Sequence, residues 1–229
     1  MTEGFAEPEK DGRPGLQAVA AVALFAVVVG ALWAQKEFVH QKDSSTGPAA
    51  CSKGGDRLPA RYVSGAALCA ALNRPDLPAL LGTTNEHVET ADGNGEWLTL
   101  AGGKKIAEPE ATVTLDTYSV KLTASYDDMT VSEAGSLLGD ARRTTVLGRP
   151  AIVYSSPTIS IGFSLGGGKA TTGPGGTARC MLVSGHGKDD GKGTLEVAIW
   201  RQDDVPPDDT ALARVAEQVL PAVPGWNGH

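Results

Sequence analysis

Residues 111–126 read ATVTLDTYSVKLTASY. Apolar side chains alternate here with polar ones, which is the two-residue period of a strand with one face buried. The parity changes partway. Val113 and Leu115 are odd, whereas Val120, Leu122, Ala124 and Tyr126 are even. One strand keeps one parity on one face. The change therefore predicts a bulge or turn near Asp116–Ser119, and two consecutive antiparallel elements around it.

Further β material lies downstream of this stretch. TTVLGRPAIVYSS (144–156) reads as two strands about a Gly-Arg-Pro turn. TISIGFSL (158–165), ARCMLVSG (178–185) and TLEVAIWRQ (194–202) read as strands. The separators GGGKATTGPGG and HGKDDGKG have the Gly, Asp and Pro chemistry of hairpin loops.

Helical signals flank the strands. SGAALCAALNRP (64–75) predicts a short helix capped by Ser64 and stopped at Pro75. RPDLPALLG (74–82) predicts a second helical turn, capped by Asp76 and ended by Gly82. TVSEAGSLLGDA (130–141) predicts a helix with Ser132 as cap and Gly139 as stop. In DDTALARVAEQVLPAV (208–223), Leu212, Val215, Ala216, Val219 and Leu220 form one apolar helical stripe. Asp208 or Asp209 caps that helix, and Pro221 closes it. The expected fold is α+β: a mostly antiparallel sheet with helices packed on one face, in a domain covering residues 61–226.

The chain upstream is of another kind. LQAVAAVALFAVVVGALWAQ (16–35) is apolar all round, unlike the single stripe of a soluble-core helix. Residues 16–34 would rise about 28 Å as a helix, close to the hydrocarbon thickness of a bilayer. A retained single-pass transmembrane helix is expected, with membrane lipid as its partner. Cleavage after VGA, near Ala31, is the alternative. Lysines and arginines flank the segment evenly, so charge gives no orientation. All three cysteines, Cys51, Cys69 and Cys180, follow the segment. That favours a cytoplasmic tail at residues 1–15 and an extracytoplasmic C-terminal domain, where a disulfide persists. Residues 35–60 carry turn and linker chemistry and read as a flexible tether.

Three cysteines allow three pairings with one thiol left over. Cys69 lies on a predicted helix and Cys180 on a predicted strand. A helix packed on the sheet would bring them together, so Cys69–Cys180 is the expected disulfide. A pairing through Cys51, or free buried thiols, are the alternatives.

Charge narrows the partner classes. From Cys51 onward there are 16 basic and 21 acidic residues, a balance of −5. Nucleic acid is excluded as an expected partner, because phosphate recognition needs clustered positive charge. GFSLG (162–166) matches the G-x-S-x-G pattern that places a nucleophilic serine, here Ser164, on a sharp strand-to-helix turn. A glycine-rich loop follows it instead of a helix, and His186 is the one usable downstream histidine. A serine hydrolase using Ser164 is thus the minor alternative. GGGKATTG lacks the spacing of a phosphate loop, and the acidic runs lack calcium-loop order. No metal, cofactor or catalytic residue is assigned.

The layout as a whole resembles an uncharacterised actinobacterial family of single-pass membrane-anchored or exported proteins. The residues that carry the resemblance are the Ala/Val-rich segment, the tether, ALCAALNRPDLPALLG, LGRPAIVY, ARCMLVSG and LARVAEQVLPAV. The chain is also faintly similar to small actinobacterial cell-envelope lipoproteins, although it lacks a cysteine directly after the apolar run. The resemblance implies no catalytic residues. A folded domain on a tether, with no convergent reactive groups, points to an envelope-anchored binding or accessory domain, with an envelope protein or cell-wall component as partner. A purely structural envelope role is the remaining alternative.

Overall fold

Eight strands share one sheet among the described residues of the computed structural model, which are 49–56, 58–100, 102–162, 171–185, 193–203 and 205–226. In chain order the elements are β1 (Ser52–Asp56), α1 (Gly65–Leu72), α2 (Leu77–Leu81), β2 (Thr90–Thr99), β3 (Lys105–Thr114) and β4 (Tyr118–Ser125). Then come α3 (Val131–Leu137), β5 (Arg142–Val146), β6 (Arg149–Gly162), β7 (Thr171–Ser184), β8 (Thr194–Arg201), α4 (Asp209–Val219) and a 3₁₀ turn, Leu220–Ala222. The spatial order is β1-β2-β3-β4-β8-β7-β6-β5. Two meanders thus run inward from opposite edges and meet where β4 pairs with β8. Every pairing is antiparallel except β1 with β2, which is parallel.

The parity break in 111–126 is the β3–β4 turn. Thr114 pairs with Ser119, and the Leu115 N–H donates to the Tyr118 carbonyl across 2.7 Å. The turn lets Val113, Val120 and Leu122 face the same side although their parities differ. That side is the main core. It continues through Val197 and Ile199 of β8, Met181 and Val183 of β7, and Ala151 and Val153 of β6. The helices α1 and α4 cover it, through Leu68 and Leu72 of the first and Leu212, Val215 and Val219 of the second. All five predicted stripe residues of the last helix are buried.

Caps follow local chemistry. Ser64 accepts from the Ala67 N–H and starts α1, and Asp208 accepts from the Thr210 N–H and starts α4. Gly82 ends α2 in the left-handed conformation. Asp76 makes no side-chain cap; its carboxylate is held by Arg74 instead. The cap of α3 is Thr130, not Ser132. Thr130 and Glu133 form a reciprocal capping box, which places the start two residues earlier. The β5–β6 turn is Leu147-Gly148, both with positive φ, so Arg149 and Pro150 already belong to β6.

Three further features differ from the sequence reading or lie outside it. First, the helices do not all lie on one face. α3 packs on the opposite side of the sheet, where Val131 and Ala134 meet Ile152, Tyr154, Cys180 and Ala198. Second, the sheet begins before residue 61, because Ser52–Asp56 is an edge strand. Third, Thr90–Thr99 is a 10-residue strand whose TADGNGEWLT carries no strand signature. Gly93 answers a packing need. A Cβ on Gly93 would run into the Gly65 carbonyl, and one on Gly65 into the Asn94 backbone. Backbone meets backbone where α1 crosses β2.

Among the described residues no helix is long and apolar enough to cross a membrane. The segment 16–34, together with Ser164 and His186, lies outside the described residues.

Candidate binding site

A cavity of about 580 Å³ opens at one end of the sheet. Four parts of the chain wall it: the turn Ala60–Val63 before α1, the end of β4 (Ala124–Tyr126), the β7–β8 junction (Gly185 and Gly193–Leu195), and the C-terminal segment Val223–Trp226. Residues far apart in sequence converge here because β4 and β8 are neighbours and the last helix returns over them.

Each wall is pinned. The Tyr62 N–H donates to the Pro59 carbonyl at 3.0 Å, which closes the turn. The Val63 N–H donates to the Tyr126 hydroxyl at 2.9 Å, which ties the turn to β4. The Tyr62 ring sits edge-on between Tyr126, at 4.8 Å, and Trp97, at 5.6 Å, an arrangement aromatic quadrupoles favour. Burial pushes the Tyr126 phenol up from its ordinary value, against the lowering effect of the Val63 N–H, so the phenol stays neutral at physiological pH. On the far wall, the Trp226 N–H donates to the Val223 carbonyl at 3.1 Å.

Arg149 locks that wall from behind. Its guanidinium stacks 3.7 Å from the Trp226 ring centroid. It donates to the Ser184 carbonyl at 3.2 Å and to the Trp226 carbonyl. Burial lowers its pKa, yet a guanidinium stays charged in proteins. This buried cation is thus satisfied by two carbonyls and a ring face.

The mouth holds Arg61, an exposed residue. Its guanidinium lies 4.7 Å over the Tyr62 ring and donates to the Tyr62 hydroxyl at 3.1 Å. The cavity therefore combines ring and aliphatic walls with a small number of polar groups, which is the make-up of small-ligand sites.

The cysteines fall differently from expectation. Cys69 is bonded to Cys51, with Cα atoms 6.1 Å apart, and not to Cys180. Cys180 is a free, buried thiol. The sheet separates the expected partners. Met181 and Val183 face α1 and α4, so Cys180 faces the other way and packs with Tyr154 beneath α3. Both alternations of ARCMLVSG are apolar, so sequence alone does not tell which face Cys180 takes. Burial, with the charge of Glu196 added, pushes the Cys180 thiol up to about 12, which makes it a poor nucleophile. Tyr154 donates to Glu196 at 2.7 Å beside it.

The rest of that second face is acidic. Strand pairing sets Asp92, Glu108, Glu110 and Glu196 on it around Lys121, which pairs with Glu110. Burial is the main reason that Asp92 and Glu108 titrate above the usual carboxylate range; repulsion from Glu110 adds to it, and Lys121 opposes it. Among the described residues no group of three or more His, Cys, Asp or Glu side chains is placed to hold a metal ion.

No residue of the cavity could be singled out from motif reading. Arg61 and Tyr62 follow a linker-like run, Thr194 and Leu195 read as plain strand, and Trp226 follows the last helix. The one available signal was three aromatic residues: Tyr62 and Trp226, just outside predicted elements, and Tyr126, at the end of a predicted strand.

Fold and cavity together define a single-sheet α+β domain with a preformed end-of-sheet pocket. The chain belongs to a family of unknown function, DUF6215, which it matches over residues 9–141. The match takes in the apolar segment, α1 to α3 and β1 to β4. It stops before β5 to β8 and α4, so two of the four pocket walls lie beyond it. No curated protein and no solved structure matches the chain.

Proposed function

We propose that this protein is a non-enzymatic binding or accessory module of the cell envelope. Residues 1–15 stay inside the cell, residues 16–34 span the membrane with lipid as their partner, and the domain stands outside. An envelope protein or cell-wall component supplies the ligand group that enters the pocket. The observation that carries this reading is the cavity: about 580 Å³, walled by Tyr62, Tyr126, Trp226 and Leu195, within the usual size range of ligand sites. The Cys51–Cys69 disulfide supports the outward placement, because such bonds persist in oxidising compartments and not in the cytosol. The likeness to actinobacterial envelope proteins supports it from the side of sequence.

Two measurements test the reading. The full chain, labelled with fluorotryptophan and held in lipid nanodiscs, is titrated with tryptophol, a neutral ring probe. The Trp226 resonance, assigned with Trp226→Phe, is expected to shift. Ala60→Trp, which fills the mouth from an exposed position, is expected to abolish the shift. A silent Trp226 resonance, or a shift indifferent to Ala60→Trp, overturns the binding role. For placement, cells are fractionated and their thiols labelled. The full chain in the cytosolic supernatant with Cys51 and Cys69 reduced overturns the envelope role.

A further inference from the structure

We infer that the pocket selects a small monoanion, a carboxylate on an apolar ring body, and that Arg61 reads its charge. This rests on the pocket being the binding site proposed above. Arg61 is the one charged residue among the described residues that line the cavity. Four of the described arginines are neutralised by carboxylates: Arg74 by Asp76, Arg142 and Arg179 by Asp209, and Arg201 by Asp203. No carboxylate among the described residues pairs with Arg61. Its contacts are the Tyr62 ring and the Tyr62 hydroxyl, which orient the guanidinium without cancelling its charge.

The second arginine near the cavity behaves otherwise. Arg149 is buried, and its N–H groups are engaged by the Ser184 and Trp226 carbonyls. It holds a wall and leaves Arg61 as the cation that faces an incoming group. The planar guanidinium fork matches a carboxylate in a two-bond geometry. The body of the ligand meets Tyr62, Tyr126 and Leu195, where removing apolar surface from water favours binding. The domain's surplus of acid weakens the pull on every anion and most on highly charged ones, which favours a single negative charge.

The test compares two ligands that share a ring system. Tryptophol is neutral and indole-3-acetate is anionic. Both are titrated against the full chain, with the Trp226 resonance as readout. Indole-3-acetate is expected to bind about threefold to fivefold more tightly at low salt, the scale of an exposed ion pair. High salt should erase that margin. Arg61→Gln should also erase it, read as the ratio of the two probes' affinities on that same variant, and Arg61→Lys should keep part of it. Equal affinity of the two probes, or a preference for the anion that survives Arg61→Gln, overturns the inference while the pocket stands. If neither probe moves Trp226, the pocket reading falls and the inference with it.

Discussion

The two faces of the sheet are built from the same strands and could hardly differ more in chemistry. One is aliphatic, and α1 and α4 seal it. The other is apolar beneath α3 and carries carboxylates on β2, β3 and β8 around Lys121 of β4. Leu122 and Thr123 are adjacent in sequence yet belong to the two different regimes. Alternation along the backbone decides which side chains hold the domain together and which tune its surface. The first face should therefore govern stability at every pH, and the second should contribute a smaller, pH-dependent term of opposite sign to the ion pairs at the sheet's rim.

The largest effect is expected at the sealed face. Leu122→Ala should cost about 3–5 kcal/mol in urea unfolding, from lost burial plus the cavity left behind. Thr123→Ala, one residue on, should stay within about 0.5 kcal/mol. Comparable losses at both sites would break the contrast between the faces.

Next comes the crosslink. Cys51→Ser should destabilise by about 3 kcal/mol, the loop-closure value for a bond that spans a separation of 18 residues. Reducing the unmodified protein should match it. Cys180 should react with an alkylating agent only under unfolding conditions, because its thiol is buried and titrates near 12. Fast labelling of Cys180 in the folded state would show that α3 does not cover the second face.

A smaller effect belongs to Asp209. Its carboxylate accepts from Arg179 and Arg142 where α4 begins, and the Arg179 bond chiefly holds its pKa below the ordinary value. The stability it lends is complete above the unfolded-state pKa and is lost as pH falls through the folded one. Asp209→Asn should cost about 1–2 kcal/mol at neutral pH, discounted because the carboxylate is 44% exposed. The difference from the unmodified protein should vanish in acid.

The smallest effect has the reverse sign. Glu108 titrates above its ordinary value, so its ionised form opposes folding. The penalty is complete above the folded-state pKa and disappears below the unfolded-state one. Glu108→Gln should therefore stabilise at neutral pH by less than about 1 kcal/mol, and not at all in acid. Matching pH profiles for Asp209→Asn and Glu108→Gln would contradict the difference drawn between rim and second face.

Sequence showed the main face far better than the second one. The parity of Val113, Val120 and Leu122, and the stripe Leu212–Leu220, exposed the core and its closing helix, because burial on one side imposes a period. Strand β2 escaped because Gly93 serves the contact with α1 and, with Gly95, interrupts the apolar half of the pattern. Helix α3 was legible as a helix but not as to side, since no local signal says which face a short amphipathic segment will meet. The Cys69–Cys180 expectation failed for the same reason. The cavity was illegible because its walls meet through the β4–β8 pairing, a non-local event that no window of sequence contains.

The bond between Cys51 and Cys69 has a mechanical meaning. It encloses β1 and the Ala60–Val63 wall within one covalent loop. Any tension that arrives along the chain ahead of Cys51 passes through sulfur straight into α1 and the heart of the domain. The parallel edge strand and the ring-lined mouth hang slack beside that line of force. Stretching the upstream chain would thus leave the cavity end undeformed, as a strain relief protects the connector behind it.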